Sequence, residues 1–484
     1  MPVKKIIIGL LIALLLTALY TYKLLDVPTG LTVDEASFGY NAALLSQTGR
    51  DERGIANPFF VLYVKGNDWR QPLTQYYLTG LFKIFGSSVF MLRFSSVMIA
   101  VLSVFGVYLL AKLIMKEVPA LVAATAFALA PLITIQAHLG LDNIMPVPFV
   151  ILWLFSLKKY HDKRSLIWLC ISAIAIGTSF YSYKGMRAIA PVWIILTSVW
   201  LLIDLLKKKT SPKDLIVFLI SVSPFFLIIP GLERQYPGAL LGNSNPVIDN
   251  VYQFFSPFLS SFDPSFIFIR GDITDFHSTG KHGMLLLASL PLIVAGFYAA
   301  ASSKEGFQKF ILLALFTGPI LYGMVGSEHR FSRLLALIPI FALLAGLGWE
   351  WFWQNHHRWL KGLSMIVVLL MVVNYADFIS YYWNKYPSTT FNLLGEMDYY
   401  REVARFSDMV EREGADPVMH FGVSDGGGES MKFFQQIYFG KQLLTIPDNE
   451  AAEPGQLLFT VRKEVEGMEE VDPSQTDYHI QRLM

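Results

Sequence analysis

The sequence is poor in cysteine and in charge. Cys170 is the only cysteine among 484 residues, so no disulfide can form within the chain. Charged residues make up 16% of the chain and its net charge is +1, whereas a nucleic-acid-binding protein would carry a basic stripe. Soluble domains have about a quarter charged residues. Here 54% of the residues are hydrophobic and the mean hydropathy is +0.45, which predicts an integral membrane protein.

Apolar stretches recur along the chain, and most approach the roughly 20 residues that cross a bilayer as a helix. They cover residues 6–22, 94–114, 118–137, 144–157, 166–180, 188–206, 215–231, 284–301, 310–325, 334–352 and 363–378. The sequence therefore predicts an all-α polytopic membrane domain over residues 1–383, with about eleven transmembrane helices.

Lysine and arginine concentrate in alternate connections between these stretches. The basic connections lie near residues 4–5, 112–116, 158–164, 207–213, 304–309 and 358–361. Because cytoplasmic loops are enriched in Lys and Arg, we expect a cytoplasmic N-terminus in a cell membrane. An odd number of spans then places the segment after residue 382 on the outer side. The first stretch resembles a signal peptide, but no A-x-A site precedes Lys23, which favours an uncleaved helix.

The last hundred residues differ in composition from the rest. In 384–484, acidic residues outnumber basic ones and the hydrophobic runs shorten to strand length. Residues 398–413 have helical periodicity, while 417–422 and 457–461 are typical of short strands. The sequence predicts a small extracytoplasmic α/β domain here.

A long polar loop, residues 23–93, follows the first apolar stretch and exceeds what a simple connection needs. Thr32 and Glu35 form a capping-box pattern, and Gly49 supplies a helix stop, so we expect an amphipathic helix at the membrane surface. Asp34 lies in its first turn. The helix dipole favours acidic residues there regardless of function, so the pattern alone leaves the role of Asp34 open.

The loop resembles a known family. The strings DEASFGYNAALLSQTGRDERG (34–54) and DWRQPLTQYYL (68–78) are similar to the first outer loop of C-type (GT-C) glycosyltransferases of the protein-O-mannosyltransferase and aminoarabinose-transferase group. The segments YSYKGMR (181–187) and EHRFSR (328–333) resemble later outer loops of that family. One departure is that Gln71 stands where the family has the first of two prolines, after a basic residue that is Arg70 here.

The resemblance implies an inverting enzyme that moves a sugar, such as a mannose-type hexose, from a polyprenyl-phosphate donor to an outer-face protein, lipid or glycan acceptor. Asp34 matches the position of the catalytic base, with Glu35 beside it. The expected substrate-binding residues are Glu52, Arg70, Tyr183, Lys184, Arg187, His329 and Arg330. No cofactor or metal ligand set is implied, and the residues leave the participation of a divalent cation open.

Two alternatives belong to other classes of protein. A transporter or flippase for a lipid-linked glycan would show internal repeats and charges at the membrane midplane. No convincing repeat is present, and the charged residues gather near the outer ends of the spans. An inactive scaffold would retain the fold without the chemistry.

Lys184 and Arg187 could equally extend from helix ends toward water.

Overall fold

The computed structural model describes residues 3–63, 68–240, 250–326, 328–389, 397–471 and 477–483. The chain divides into two compact units. The helical unit contains Met1–Tyr22, Leu62–Thr74 and Arg93–Asn384, and the mixed unit contains Lys23–Val61, Gln75–Leu92 and Lys385–Met484. The division of the sequence near residue 384 stays a prediction.

The described α-helices are, in chain order, α1 (Val3–Thr21), α2 (Val33–Thr48), α3 (Pro72–Phe85), α4 (Val89–Ile114), α5 (Glu117–Ala128), α6 (Pro131–Ala137), α7 (Pro146–Lys163), α8 (Leu166–Ser179), α9 (Met186–Leu206), α10 (Pro212–Val222), α11 (Pro224–Leu227), α12 (Ile229–Gln235), α13 (Val251–Ser260), α14 (Leu290–Ser302), α15 (Gly306–Thr317), α16 (Ile320–Val325), α17 (Ile338–Gln354), α18 (Arg358–Asn384), α19 (Met397–Glu413) and α20 (Phe421–Phe439). The strands are β1 (Val61–Tyr63), β2 (Asp68–Arg70), β3 (Asp416–His420), β4 (Leu444–Ile446), β5 (Gln456–Thr460), β6 (Met468–Glu470) and β7 (His479–Leu483).

The chain is a multi-pass membrane protein with fewer clear spans than the sequence predicts. Among the described residues, 6 helices are long and apolar enough to cross a membrane, or 7 if the bent pair α5–α6 counts as one span. The predicted number of eleven is not confirmed. Three further apolar helices have 10–17 residues by the same criteria: Ile6–Thr21 within α1, Leu166–Ser179 and Leu287–Ser302.

Proline and glycine shape the helical unit. The axis bends by 54° between α5 and α6, where Pro131 has no N–H for the hydrogen-bond ladder. A Cβ on Gly296 of α14 would meet the Leu344 backbone, and one on Gly348 of α17 would meet the Leu292 backbone. These two helices therefore approach closely through small residues, as membrane helices commonly do.

The mixed unit contains a five-stranded sheet in the order β4-β3-β5-β7-β6. Strand β3 pairs in parallel with β4 and β5, whereas β7 is antiparallel to β5 and β6. The predicted helix at 398–413 is confirmed as α19, and the predicted strands at 417–422 and 457–461 are confirmed as β3 and β5, within a residue or two. The expected small C-terminal sheet domain is present.

Helix α2 belongs to the core of this mixed unit. Its Phe38, Ala42 and Ala43 are buried in one hydrophobic cluster with Phe406 of α19 and Phe433 of α20. Residues from the first loop and from the C-terminal segment thus exclude water together, which stabilises both.

Candidate functional site

The start of α2 has the predicted capping box. The Thr32 hydroxyl oxygen accepts from the Glu35 amide at 3.0 Å, and Glu35 Oε2 accepts from the Thr32 amide at 3.0 Å. At the other end Gly49 adopts φ 68° and its amide donates to the Leu45 carbonyl at 3.0 Å. Both ends of the helix are therefore set by local sequence, as the pattern predicts.

The two acidic residues of the first turn have different surroundings. Glu35 is fully buried and its carboxylate holds the helix start, so it is not exposed to an acceptor. Asp34 is exposed. Of the pair, only Asp34 presents a carboxylate that can take a proton from a molecule arriving from solvent.

Two acidic residues, Asp51 and Glu52, form hydrogen bonds that hold the turn after α2. Asp51 Oδ1 accepts from the amides of Arg53 at 3.0 Å and Ile55 at 2.8 Å. The Glu52 amide donates to Asn41 Oδ1 of α2 at 3.0 Å. The Glu52 side chain is 5% exposed, and its Oε2 lies 3.7 Å from Lys432 Nζ. Glu52 is thus tied to α2 and to α20 and is not a free surface charge.

Asp68 joins two of the predicted cationic residues in the helical unit. Its Oδ2 lies 3.4 Å from Arg70 Nη1, and its Oδ1 pairs with Lys184 Nζ. The Arg70 guanidinium is 5.0 Å from the Tyr63 ring centroid and its side chain is buried. One carboxylate between two cations leaves net positive charge, which suits an anionic ligand.

Arg187, in the first turn of α9, has hydrogen-bond donors that no acceptor among the described residues satisfies. Its Nη1 donates to the Leu240 carbonyl at 3.1 Å. Its Nε and Nη2 are buried and have no hydrogen-bond partner among the described residues. Glu233 accepts from the amides of Gly238 and Leu240 at 2.6 and 3.1 Å, which fixes the carbonyl that Arg187 contacts. Buried charged donors without acceptors are costly, so an acceptor oxygen placed at these two nitrogens would be favourable.

Tyr183 lies where several loops of the helical unit meet. Burial raises the pKa of its phenol, and the charge of Asp142 raises it further, against the opposing effect of Arg333. The neighbouring Ser182 carbonyl accepts from the Thr74 hydroxyl at 3.4 Å. The phenol therefore stays protonated and can donate a hydrogen bond.

The segment that carries His329 and Arg330 is held by Asp272. Its carboxylate accepts from the amides of Ser332 at 3.0 Å and Thr274 at 2.8 Å. Burial raises the pKa of Asp272, while these bonds and the Arg330 charge oppose the shift. His329 Nε2 lies 3.3 Å from Asp263 Oδ2.

The sequence interpretation assigned no role to Asp68, which begins the string at 68–78, or to Asp272, because an acid in a polar loop has no distinguishing pattern. The structure joins Arg70 and Lys184 through Asp68 and places Tyr183 and Arg330 near Asp272. Asp34, Glu35 and Glu52 belong to the other unit. Within the described ranges, no group of three or more His, Cys, Asp or Glu side chains could hold a metal ion.

Comparison with known proteins supports a resemblance to glycosyltransferases. Residues 70–230 match the family model described as dolichyl-phosphate-mannose-protein mannosyltransferase. No curated protein sequence matches the chain.

Solved structures match over nearly the whole length. ArnT from Cupriavidus metallidurans bound to undecaprenyl phosphate has a TM-score of 0.55 at 10% identity, over 99% of this chain and 98% of that one. The structure of the same protein in the apo state has a TM-score of 0.57 at 11% identity, with the same coverage. The oligosaccharyltransferase AglB from Archaeoglobus fulgidus, in complex with an inhibitory peptide and a dolichol-phosphate, gives 0.51 at 12% identity, over 90% of this chain and 64% of that one. The predicted resemblance to C-type glycosyltransferases is therefore confirmed, in sequence over residues 70–230 and in fold over nearly the whole chain.

Proposed function

We propose that this protein is a membrane glycosyltransferase that moves a sugar from a polyprenyl-phosphate donor to an acceptor hydroxyl on the outer face. The family match over residues 70–230 and the shared fold with the undecaprenyl-phosphate-bound ArnT support the reaction class. The observation that carries the proposal is the Arg187 guanidinium, whose buried Nε and Nη2 have no acceptor among the described residues. A phosphate oxygen satisfies such donors well.

The donor phosphate is assigned to the cations of the helical unit. Arg70, Lys184 and Arg187 bind it, with Arg330 and His329 contributing from the segment that Asp272 holds. Tyr183 supplies a neutral hydrogen-bond donor. As the sugar–phosphate bond breaks, negative charge grows on the leaving phosphate. Fixed cations therefore stabilise the transition state more than the ground state.

The acceptor is activated by Asp34. Its carboxylate takes the hydroxyl proton while the acceptor oxygen bonds to the anomeric carbon, and the bond from that carbon to the phosphate oxygen breaks. Attack opposite the leaving group inverts the configuration in one displacement. Glu35 fixes the start of α2 through the capping box. Glu52 helps to position the acceptor through the turn that it joins to α2 and α20.

The proposed topology follows the charge distribution of the sequence. It has about eleven spans, a cytoplasmic N-terminus and an outer C-terminal domain in the cell membrane. The sugar is a mannose-type hexose or a related sugar, and the acceptor is a protein, lipid or glycan of the outer face.

A direct transfer assay tests the function. Purified protein in lipid nanodiscs is incubated with polyprenyl-phosphate sugars and with extracytoplasmic protein, lipid or glycan acceptors, and products are identified by mass spectrometry. We expect a glycosylated acceptor and free polyprenyl phosphate in equal amounts. Movement of the intact donor across vesicle membranes without sugar release would instead establish the transporter alternative.

A further inference from the structure

Helix α20 of the C-terminal segment packs tightly against the helix that carries Asp34. A Cβ on Gly39 of α2 would lie 2.7 Å from Phe433 Cζ and 2.9 Å from Cε2, which is too close for any side chain. The Phe433 ring is fully buried and stacks on Phe82, with centroids 6.3 Å apart and planes 6° apart. The ring therefore has little room to move if Gly39 gains a side chain.

Two polar contacts extend this interface along α2. Gln436 Nε2 donates to Gln47 Oε1 at 2.6 Å, near the end of the helix. Lys432 Nζ lies 3.7 Å from Glu52 Oε2, in the turn that follows. Adjacent turns of α20 thus contact the middle of α2, its last turn and the turn beyond.

We propose that α20 positions α2 and Glu52 for sugar transfer, with Phe433 and Lys432 as positioning residues that do not touch substrate. This inference rests on the proposed function, in which Asp34 and Glu52 act on the acceptor. Gly39 lies little more than one helical turn from Asp34, so a shift at Gly39 carries the carboxylate with it. A base displaced by about 1 Å can lose roughly a hundredfold in rate.

A size exchange tests the Phe433 contact. Gly39→Ala should lower kcat by about tenfold or more per folded molecule, with the donor KM close to wild type. Adding Phe433→Leu should restore much of that loss, since the smaller side chain leaves space for the new methyl group. The matched control is Gly80→Ala in α3, where a Cβ would meet nothing within 4 Å, and kcat should be unchanged.

Lys432→Gln tests the polar contact without changing the core. Its side chain is 39% exposed, so the variant should fold normally. We expect the acceptor KM to rise several-fold while the donor KM stays the same, because Glu52 is assigned to the acceptor. Both kinetic constants are measured in the transfer assay, with thermal unfolding in detergent as the check on folding.

The outcomes separate this inference from the function on which it rests. If the wild-type protein shows no transfer activity, both the proposed function and this inference are contradicted. With an active wild type, unchanged kcat in folded Gly39→Ala and an unchanged acceptor KM in Lys432→Gln would overturn the inference alone. So would a lower melting temperature with normal turnover of the folded fraction, because that result indicates a purely structural contact.

Discussion

Asp34 is the residue on which the proposed chemistry depends most. Asp34→Asn retains the size of the side chain and, because Thr32 and Glu35 form the cap, the helix start as well. We expect at least a hundredfold loss of transfer rate, since general-base catalysis contributes about 10²–10⁴-fold. The amount of folded protein should not change, because Asp34 is exposed. Product formation is measured by mass spectrometry, with Asp416→Asn, another exposed aspartate, as control.

Near-wild-type turnover in Asp34→Asn would remove Asp34 from the mechanism. The same loss in Asp416→Asn would show that the effect is not specific to the first loop.

Arg187 is expected to act on the donor alone. Arg187→Lys keeps the positive charge but loses the planar guanidinium. The Nε and Nη2 donors of that group have no acceptor among the described residues. Hydrogen bonds to charged groups contribute about 1.5–3 kcal/mol, so affinity for polyprenyl phosphate should fall roughly tenfold to a hundredfold. Fluorescence or thermal-shift titration with undecaprenyl phosphate measures this affinity. Equal affinity in the variant and the wild type contradicts the assignment.

The capping box gives α2 a local stability that can be measured. Thr32→Ala removes the acceptor for the Glu35 amide and should cost about 1 kcal/mol, while Thr32→Ser should cost little. Glu35→Gln keeps an oxygen for the Thr32 amide and should also be mild. Hydrogen exchange of the first-turn amides of α2 reports the opening free energy. Identical exchange in Thr32→Ala and wild type would show that the cap does not hold this helix.

Elements with local signals could be predicted from the sequence, and α20 could not. The ends of α2 follow from Thr32 and Gly49, whose side-chain chemistry acts within a few residues. Helix α20 contains a run of three glycines, and Gly428 within it has φ 51° and ψ −129°, which breaks the regular helix. Glycine disfavours helix by about 1 kcal/mol per residue. Burial of Phe433 and Phe434 in the core outweighs that cost, and burial is not visible in local sequence.

The membrane topology is a property of the whole molecule, and the near absence of cysteine makes it testable. In a Cys170→Ser background, single cysteines replace Lys208 and Glu453, which are both exposed. A membrane-impermeant thiol reagent should label the second position in intact cells and the first only after lysis. Labelling of both positions, or of Lys208→Cys alone, would contradict the proposed orientation.

Long-range packing limits what the sequence can predict about the site. The acidic and basic residues of the first loop and the cations near 184–187 could be recognised by family resemblance, because each motif is a continuous stretch of sequence. That Asp68 pairs with Lys184 depends on how distant segments fold together. The same holds for Phe38 and Phe433, which share one hydrophobic cluster. The periodicity of hydrophobic residues within one segment does not indicate which distant segment it packs against.

The shared cluster of Phe38 and Phe433 also has a consequence for biosynthesis. A ribosome adds about 5–20 residues per second, so roughly 400 residues separate the two phenylalanines by some 20 to 80 s of translation. During that interval the first loop has left the ribosome while the aromatic side chains that complete its core do not yet exist. A chain released early therefore lacks Phe406 and Phe433, and the apolar residues of α2 that pack with them stay exposed until α20 is made.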